Sequence, residues 1–175
     1  VLELGREHGV EVVCLNPSSV QGPGRTGGTA RFLIRYAQGR LRWMVRTRVS
    51  LLAVGDCVAA HRLAAERGRP GRRYLLNSFT MQIEDLLELA GRITGVQHRL
   101  RFLPPRLAVG GAVAVGRLVA ITGRRPPVCG EMVRTLLHGH AYDGAEAARE
   151  LGLTYTSAED LLRQTFDWYR SQKLL

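Results

Sequence analysis

Lysine is nearly missing from this chain: Lys173 stands alone among 25 basic residues, the rest being arginine. The formal charge of +10 would by itself point to an anionic partner. However, the arginines are scattered as RTR, RR and single residues among helical stretches. A base-stacking platform interleaves aromatic with basic positions, and aromatics are only 6% of the residues, so no nucleic-acid partner is expected. Cysteine is sparse too. Cys14, Cys57 and Cys129 form no CxxC pair and leave an odd count, which argues against a disulfide framework or a structural zinc site and fits a reducing cytoplasm. His138 and His140 offer two metal ligands without a third, and read as loop or helix-end residues. No signal peptide is expected from the opening residues, and the longest charge-free apolar stretch, Leu107 to Gly116, is too short to span a bilayer. Continued past Arg117 as LAVGGAVAVGRLVAI, it reads as a buried or interface helix, and no membrane partner is expected.

What is present is a globular composition, 45% hydrophobic and 23% charged over 175 residues, enough for one sizeable core. The opening VLELGREHG reads as the last turns of a helix with Gly9 beyond its C-cap, so the chain is expected to begin mid-element. VEVVCL, residues 10–15, is apolar and β-branched as a buried parallel strand should be, with NPSSVQGPGRTGG as a loop after it. TARFLIRYAQG has helical spacing, and WMV and VSLLAV are strand candidates. Asp56 precedes CVAAHRLAAERG as a candidate N-cap, with Gly68 to end that helix. RYLLN is a further strand, and IEDLLELAGRITG places Ile83, Leu86, Leu87, Ala90 and Ile93 on one face. After Pro104-Pro105 come the apolar helix, the linker TGRRPP and a helix through EMVRTLLHG. Asp143 with Glu146, and Thr156 with Glu159, have capping-box spacing for two closing helices. Strands alternating with helices, then helices alone, predict an α/β fold: a partial Rossmann-like parallel sheet over 1–79 and a mostly helical lobe over 80–175.

Two motifs are decoys. Gly22 to Gly27 spells GxGxxG, but six residues separate it from Leu15, proline holds its second position, and no acid near Arg40 to Arg48 waits for a ribose hydroxyl. Tyr169 and Lys173 have the YxxxK spacing that can lower a phenol's pKa, yet they sit at the C-terminus, where Phe166, Trp168 and Tyr169 read as packing residues.

The succession VEVVCLNPSSVQGPG, VSLLAVGDCVAAHRLAAERGRPGRRYLLN, LLELAGRITG and ARELGLTYTSAEDLLRQTFDWY resembles the C-terminal half of the NAD-dependent epimerase/dehydratase family, an extended short-chain dehydrogenase group, in its dihydroflavonol-reductase-like or sugar-epimerase-like branch. The resemblance runs from about Val1 to the end. It implies that Asn16, Pro17, Ser18 and Ser19 contact the nicotinamide end of NAD or NADP, most of the cofactor being held by residues upstream. It also implies that Val20, Gln21, Gly22, Arg31 and Ser50 border the substrate. Proline gives a fixed apolar wall, and a hydroxyl can hydrogen-bond a carboxamide. The match departs at Gly55, where an acid is common in the family, and at Ala53, where a histidine is common. No glycine fingerprint opens a first βαβ unit, and no catalytic tyrosine and lysine precede VEVVCL.

Hydride chemistry at a hydroxyl-bearing carbon needs an acid or base at the oxygen and a held nicotinamide, and this chain is expected to supply one wall of such a site. The leading reading is therefore the substrate-lobe portion of an NAD(P)-dependent epimerase, dehydratase or reductase acting on a sugar nucleotide or similar carbonyl or hydroxyl compound. On that reading this piece is inactive by itself, carries no catalytic residue or metal, folds poorly alone, and comes from a cytoplasmic protein whose state as a homodimer is open. The alternatives are a non-catalytic relative serving as a regulatory or binding module, and a basic helical protein whose binding to nucleic acid or membrane depends steeply on salt.

Overall fold

The computed structural model describes residues 1–97, 100–121 and 130–175; the linker TGRRPP and Cys129 fall outside them. Helix α1 (Leu2–Glu7) leads to β1 (Cys14–Pro17) and β2 (Ser19–Gln21). Then follow α2 (Ala30–Ala37), β3 (Trp43–Met44), β4 (Arg48–Ala53), α3 (Val54–Arg67), β5 (Arg73–Leu76), β6 (Phe79–Gln82) and α4 (Ile83–Thr94). The chain closes with β7 (Arg101–Phe102), α5 (Pro105–Ile121), α6 (Gly130–His138), α7 (Ala145–Leu151) and α8 (Ala158–Ser171). The class is α/β with small parallel sheets, as expected. β1 pairs in parallel with β5, Cys14 opposite Arg73 and Pro17 opposite Leu76. β4 lies between β2, parallel to it, and β6, antiparallel. β3 pairs in parallel with β7.

Strand β4 organises the core because successive side chains on a strand point to opposite faces. Leu51 enters a cluster with Leu33, Leu86, Leu87, Leu162, Phe166 and Tyr169, joining α2, α4 and α8. Its neighbour Leu52 enters another with Ala60, Leu63, Tyr74, Leu76 and Leu151, joining α3, β5 and α7. A third, smaller cluster of Val45, Ala108, Ala112 and Val133 sits where α5 and α6 meet β3.

Four local expectations are corrected. The first strand begins at Cys14 rather than residue 10, and Val10 is 59% exposed. Residues 10–13 spend their backbone groups elsewhere, Val10 N–H donating to Gly5 O and Val12 O accepting from Gly71. NPSSVQ is not a loop: Asn16 and Pro17 finish β1, and Ser19 to Gln21 form β2 beside β4. Asp56 does not cap α3, whose N-cap is Ala53; it lies inside the first turn and bonds across the fold. The last capping box is one residue later than its spacing suggested. Ser157 accepts from Asp160 N–H at 3.1 Å, because the Thr156 hydroxyl is already committed to Asp56.

Both decoy readings receive a structural account. Gly22 to Gly27 turns onto itself, Arg25 N–H donating to Gly22 O, so that amide is not free for a phosphate, and Ala30 N–H donates to Gly27 O. Gly22, at φ 140°, is held there because a Cβ would stand 2.8 Å from Val54 Cγ1. Tyr169 is fully buried, and its hydroxyl accepts from Gln21 Nε2 at 2.9 Å. Burial pushes its phenol up to about 12, against the lesser opposing effects of the Gln21 hydrogen bond and Arg25. That is the reverse of a general base. A raised tyrosine pKa stabilises the neutral folded form, so this contribution is complete below the unfolded pKa near 10 and lost as pH rises through about 12. Tyr169→Phe should flatten this alkaline leg of a denaturation series. It should also cost roughly 1 kcal/mol at neutral pH by stranding the Gln21 amide.

Candidate functional site

The turn from β1 into β2 opens on a cavity of about 250 Å³. Ser18 makes the turn: its N–H donates to Leu76 O at 2.9 Å, carrying the β1–β5 ladder one residue further. Its hydroxyl is buried and has no hydrogen-bond partner among the described residues. Beside it Ser19 Oγ and Thr29 Oγ1, the latter at the start of α2, share a hydrogen bond at 3.0 Å. Pro17, Ser18, Ser19 and Thr29 line one wall.

Residues of β4 and the segment before it line the opposite wall, and a strap after α6 covers it. Ser50 Oγ donates to His140 O at 2.6 Å and accepts from Tyr142 N–H at 3.3 Å, and it also bonds Thr80 Oγ1 at 2.7 Å. Asn77 Nδ2 holds Tyr142 O at 2.8 Å. Thr47 Oγ1 donates to Leu136 O, tying the last turn of α6 to the segment entering β4. The strap turns away at Gly144, where a Cβ would stand 2.5 Å from Asn77 O, so only glycine permits the approach. His140 stacks on Tyr142 at 5.5 Å and meets His138 edge-on, with no third metal ligand joining them among the described residues. Among the described residues Arg48 is the one arginine on the lining, and no ion pair is formed by it there.

Of the residues singled out from sequence, the fold brings Pro17, Ser18, Ser19 and Ser50 onto this one cavity. Asn16 is exposed at the end of β1, outside the lining. Val20 packs against the α3–β5 core, Gln21 is buried against Tyr169, Gly22 is buried against Val54, and Arg31 is exposed and not part of the lining. The strap residues His140 and Tyr142, with Thr47, Arg48 and Thr135, were not found by sequence reasoning. Ser50 and His140 lie 90 positions apart, and no spacing rule spans that. A Cys57–His61 pair, Sγ to Nδ1 at 3.9 Å, imitates a catalytic dyad. Burial, and secondarily the Asp56 carboxylate, push the Cys57 thiol up, so it is held as the unreactive thiol.

No family model matches the chain. A Synechocystis protein provisionally named dihydroflavonol 4-reductase is 28% identical over 171 residues, 94% of this chain and 50% of the relative. Sterol demethylase protein B of Methylococcus capsulatus is 29% identical over 171 residues, 95% of this chain and 52% of the relative. Among solved structures, a nucleoside-diphosphate-sugar epimerase from Pseudomonas aeruginosa superposes with TM-score 0.72 at 26% identity, over 99% of this chain and 54% of that one. The Bordetella bronchiseptica enzyme WbmF in complex with NADH shares the fold, with TM-score 0.68 at 21% identity over 98% and 49%. The chain thus spans about half the length of the curated relatives it matches. Relatives and fold agree: over about half of their length these proteins are similar to this chain, consistent with a C-terminal portion of the NAD-dependent epimerase/dehydratase family.

Proposed function

We propose that this chain is the substrate-lobe portion of an NAD(P)-dependent epimerase, dehydratase or reductase acting at a hydroxyl or carbonyl carbon. In this reading the Rossmann-like part runs to residue 79 and the lobe from residue 80. The observation that carries it is the buried Ser18 hydroxyl, without a partner among the described residues, on a residue that lines a small cavity together with Pro17 and Ser19. An orphaned buried hydroxyl costs roughly 1–3 kcal/mol, and a carboxamide set against the Pro17 wall would satisfy it. The residues present therefore fit the nicotinamide end of the cofactor. Bound there, that group would supply hydride acceptance or delivery. The chain's own residues do the rest: Pro17 walls one face, Ser18 and Ser19 orient the amide, and Ser50 holds the strap that limits water. Sugar nucleotides are one substrate class open to such a lobe, supported by the likeness to the Pseudomonas epimerase.

The test is Ser18→Ala in the full-length protein. Losing the hydroxyl should weaken NADH binding about five- to tenfold, the worth of one good hydrogen bond. The same change should slightly raise stability without cofactor, since it removes an unsatisfied buried atom. Fluorescence titration and thermal melting read the two effects separately. Unchanged NADH affinity would overturn the assignment.

A further inference from the structure

Fourteen of the 25 basic residues lie in two stretches that hold no Asp or Glu, one between Glu11 and Asp56 and the other between Glu88 and Glu131. Parallel pairing of β3 with β7, Trp43 opposite Arg101, joins these stretches, and α5 follows at once. Helix α5 has two apolar faces. Ala108 and Ala112 are buried against Val45 and Val133. Leu107, Gly111, Ala114, Val115 and Leu118 recur at helical spacing on the other face, and all are exposed, Leu107 by 66% and Leu118 by 67%. Arg106 and Arg117 stand eleven positions apart, about three turns, so they share one flank of that face. Both are exposed, and neither forms an ion pair among the described residues. Trp43, 50% exposed, borders an apolar groove of about 500 Å³ together with Leu107, Gly111 and Val115, so it belongs to the same surface. Leu136 borders both this groove and the hydroxyl cavity. The Arg101 guanidinium lies over the Trp43 ring, 5.3 Å from its centroid.

We propose that this face docks on the surface of an anionic lipid bilayer, α5 lying along the membrane with Leu107, Val115, Leu118 and Trp43 among the headgroups and Arg101, Arg106 and Arg117 on lipid phosphates. The proposal stands apart from the cofactor reading. The 17-residue helix carries Arg117 near its end, and no helix among the described residues is long and apolar enough to cross a membrane, so the contact is with one leaflet. Exposed leucines scattered singly are ordinary, but a continuous apolar helix face beside an exposed tryptophan marks an interaction surface. Charge decides the partner. A second copy packed symmetrically on this face would bring Arg106 and Arg117 toward their own counterparts, with no acid in either stretch to offset them. Lipid phosphates supply the missing anions and suit the guanidinium fork. The indole, apolar in body and polar at its N–H, suits the headgroup level.

Vesicle flotation of the full-length protein tests this. The protein should float with phosphatidylcholine containing about one-third phosphatidylglycerol at roughly 0.05 M salt and stay behind with phosphatidylcholine alone. It should be released at roughly 0.5 M salt, where exposed charges are screened. Arg117→Glu should weaken binding roughly thirtyfold, one attraction being exchanged for a repulsion. Leu118→Asp should abolish flotation and leave the melting temperature unchanged, because its side chain is exposed. Trp43 emission should move to the blue on the mixed vesicles, and Trp43→Phe should lose that shift. Failure to float with the mixed vesicles overturns the proposal, as does flotation that Leu118→Asp leaves intact. Early melting of Leu118→Asp, or a dimer that this change dissolves, also overturns it, by showing that the rest of the protein or a second copy covers the face.

Discussion

Phe166→Ala should lower stability by about 4 kcal/mol, the usual cost of emptying a buried aromatic position. Phe166 is fully buried where α8 meets α2, α4 and β4, and it packs edge-to-face on Tyr169 at 6.0 Å. Truncation removes its transfer energy and leaves a hole in a cluster that also holds Leu162 of α8 and Leu87 of α4, side chains on different elements that relax only partially. For a domain of this size the melting temperature should fall by about 8–16 °C. Phe166→Leu should recover most of the loss, since it retains apolar volume. A denaturant series on the full-length protein checks both, and a loss under 1 kcal/mol for alanine would show that α8 is not part of the main core.

Asp56→Ala should cost about 3 kcal/mol, for a different reason. Asp56 is 7% exposed and accepts from Ser78 Oγ at 2.8 Å, Thr156 N–H at 2.9 Å and Thr156 Oγ1 at 2.7 Å. One carboxylate thereby ties the start of α3 to the β5–β6 turn and to the entrance of α8. Alanine strands three donors in a part-buried place, and each unsatisfied donor costs more than its hydrogen bond contributed. Asp56→Asn keeps the shape and two acceptor sites on one oxygen, so it should cost about half as much. The site should feel the change too, because Ser78 follows Asn77, which holds the Tyr142 strap. Equal stability of the alanine and asparagine variants would show that packing, not hydrogen bonding, sets the cost.

How far the candidate site was legible depended on distance along the chain. The proline and serines after the first strand were found because β1, the turn and β2 are consecutive, and a short motif can carry their geometry. Asp56 was found, but its role was misread. A carboxylate near a helix start caps that helix in local reasoning, whereas its partners Ser78 and Thr156 lie 22 and 100 positions away. Thr156 was misread for the same reason in reverse, its hydroxyl being drawn off to Asp56 while Ser157 took over the cap. The strap was invisible because Gly144 is required by the backbone of Asn77, a constraint with no signature in the residues beside it.

The sequence by itself determined where most of the helices run, which face of α4 is apolar, and that Phe166 and Tyr169 belong to packing rather than catalysis. Those are consequences of periodicity and of end signals a few residues long. Only the tertiary structure decided which hydroxyls converge, that Ser18 has no partner among the described residues while Ser50 is used up, and that Leu136 borders both the cavity and an apolar groove. The physical reason is that burial and hydrogen-bond satisfaction are set by groups brought together through the core, and a linear pattern records a residue's own preference without naming the partner that competes for it.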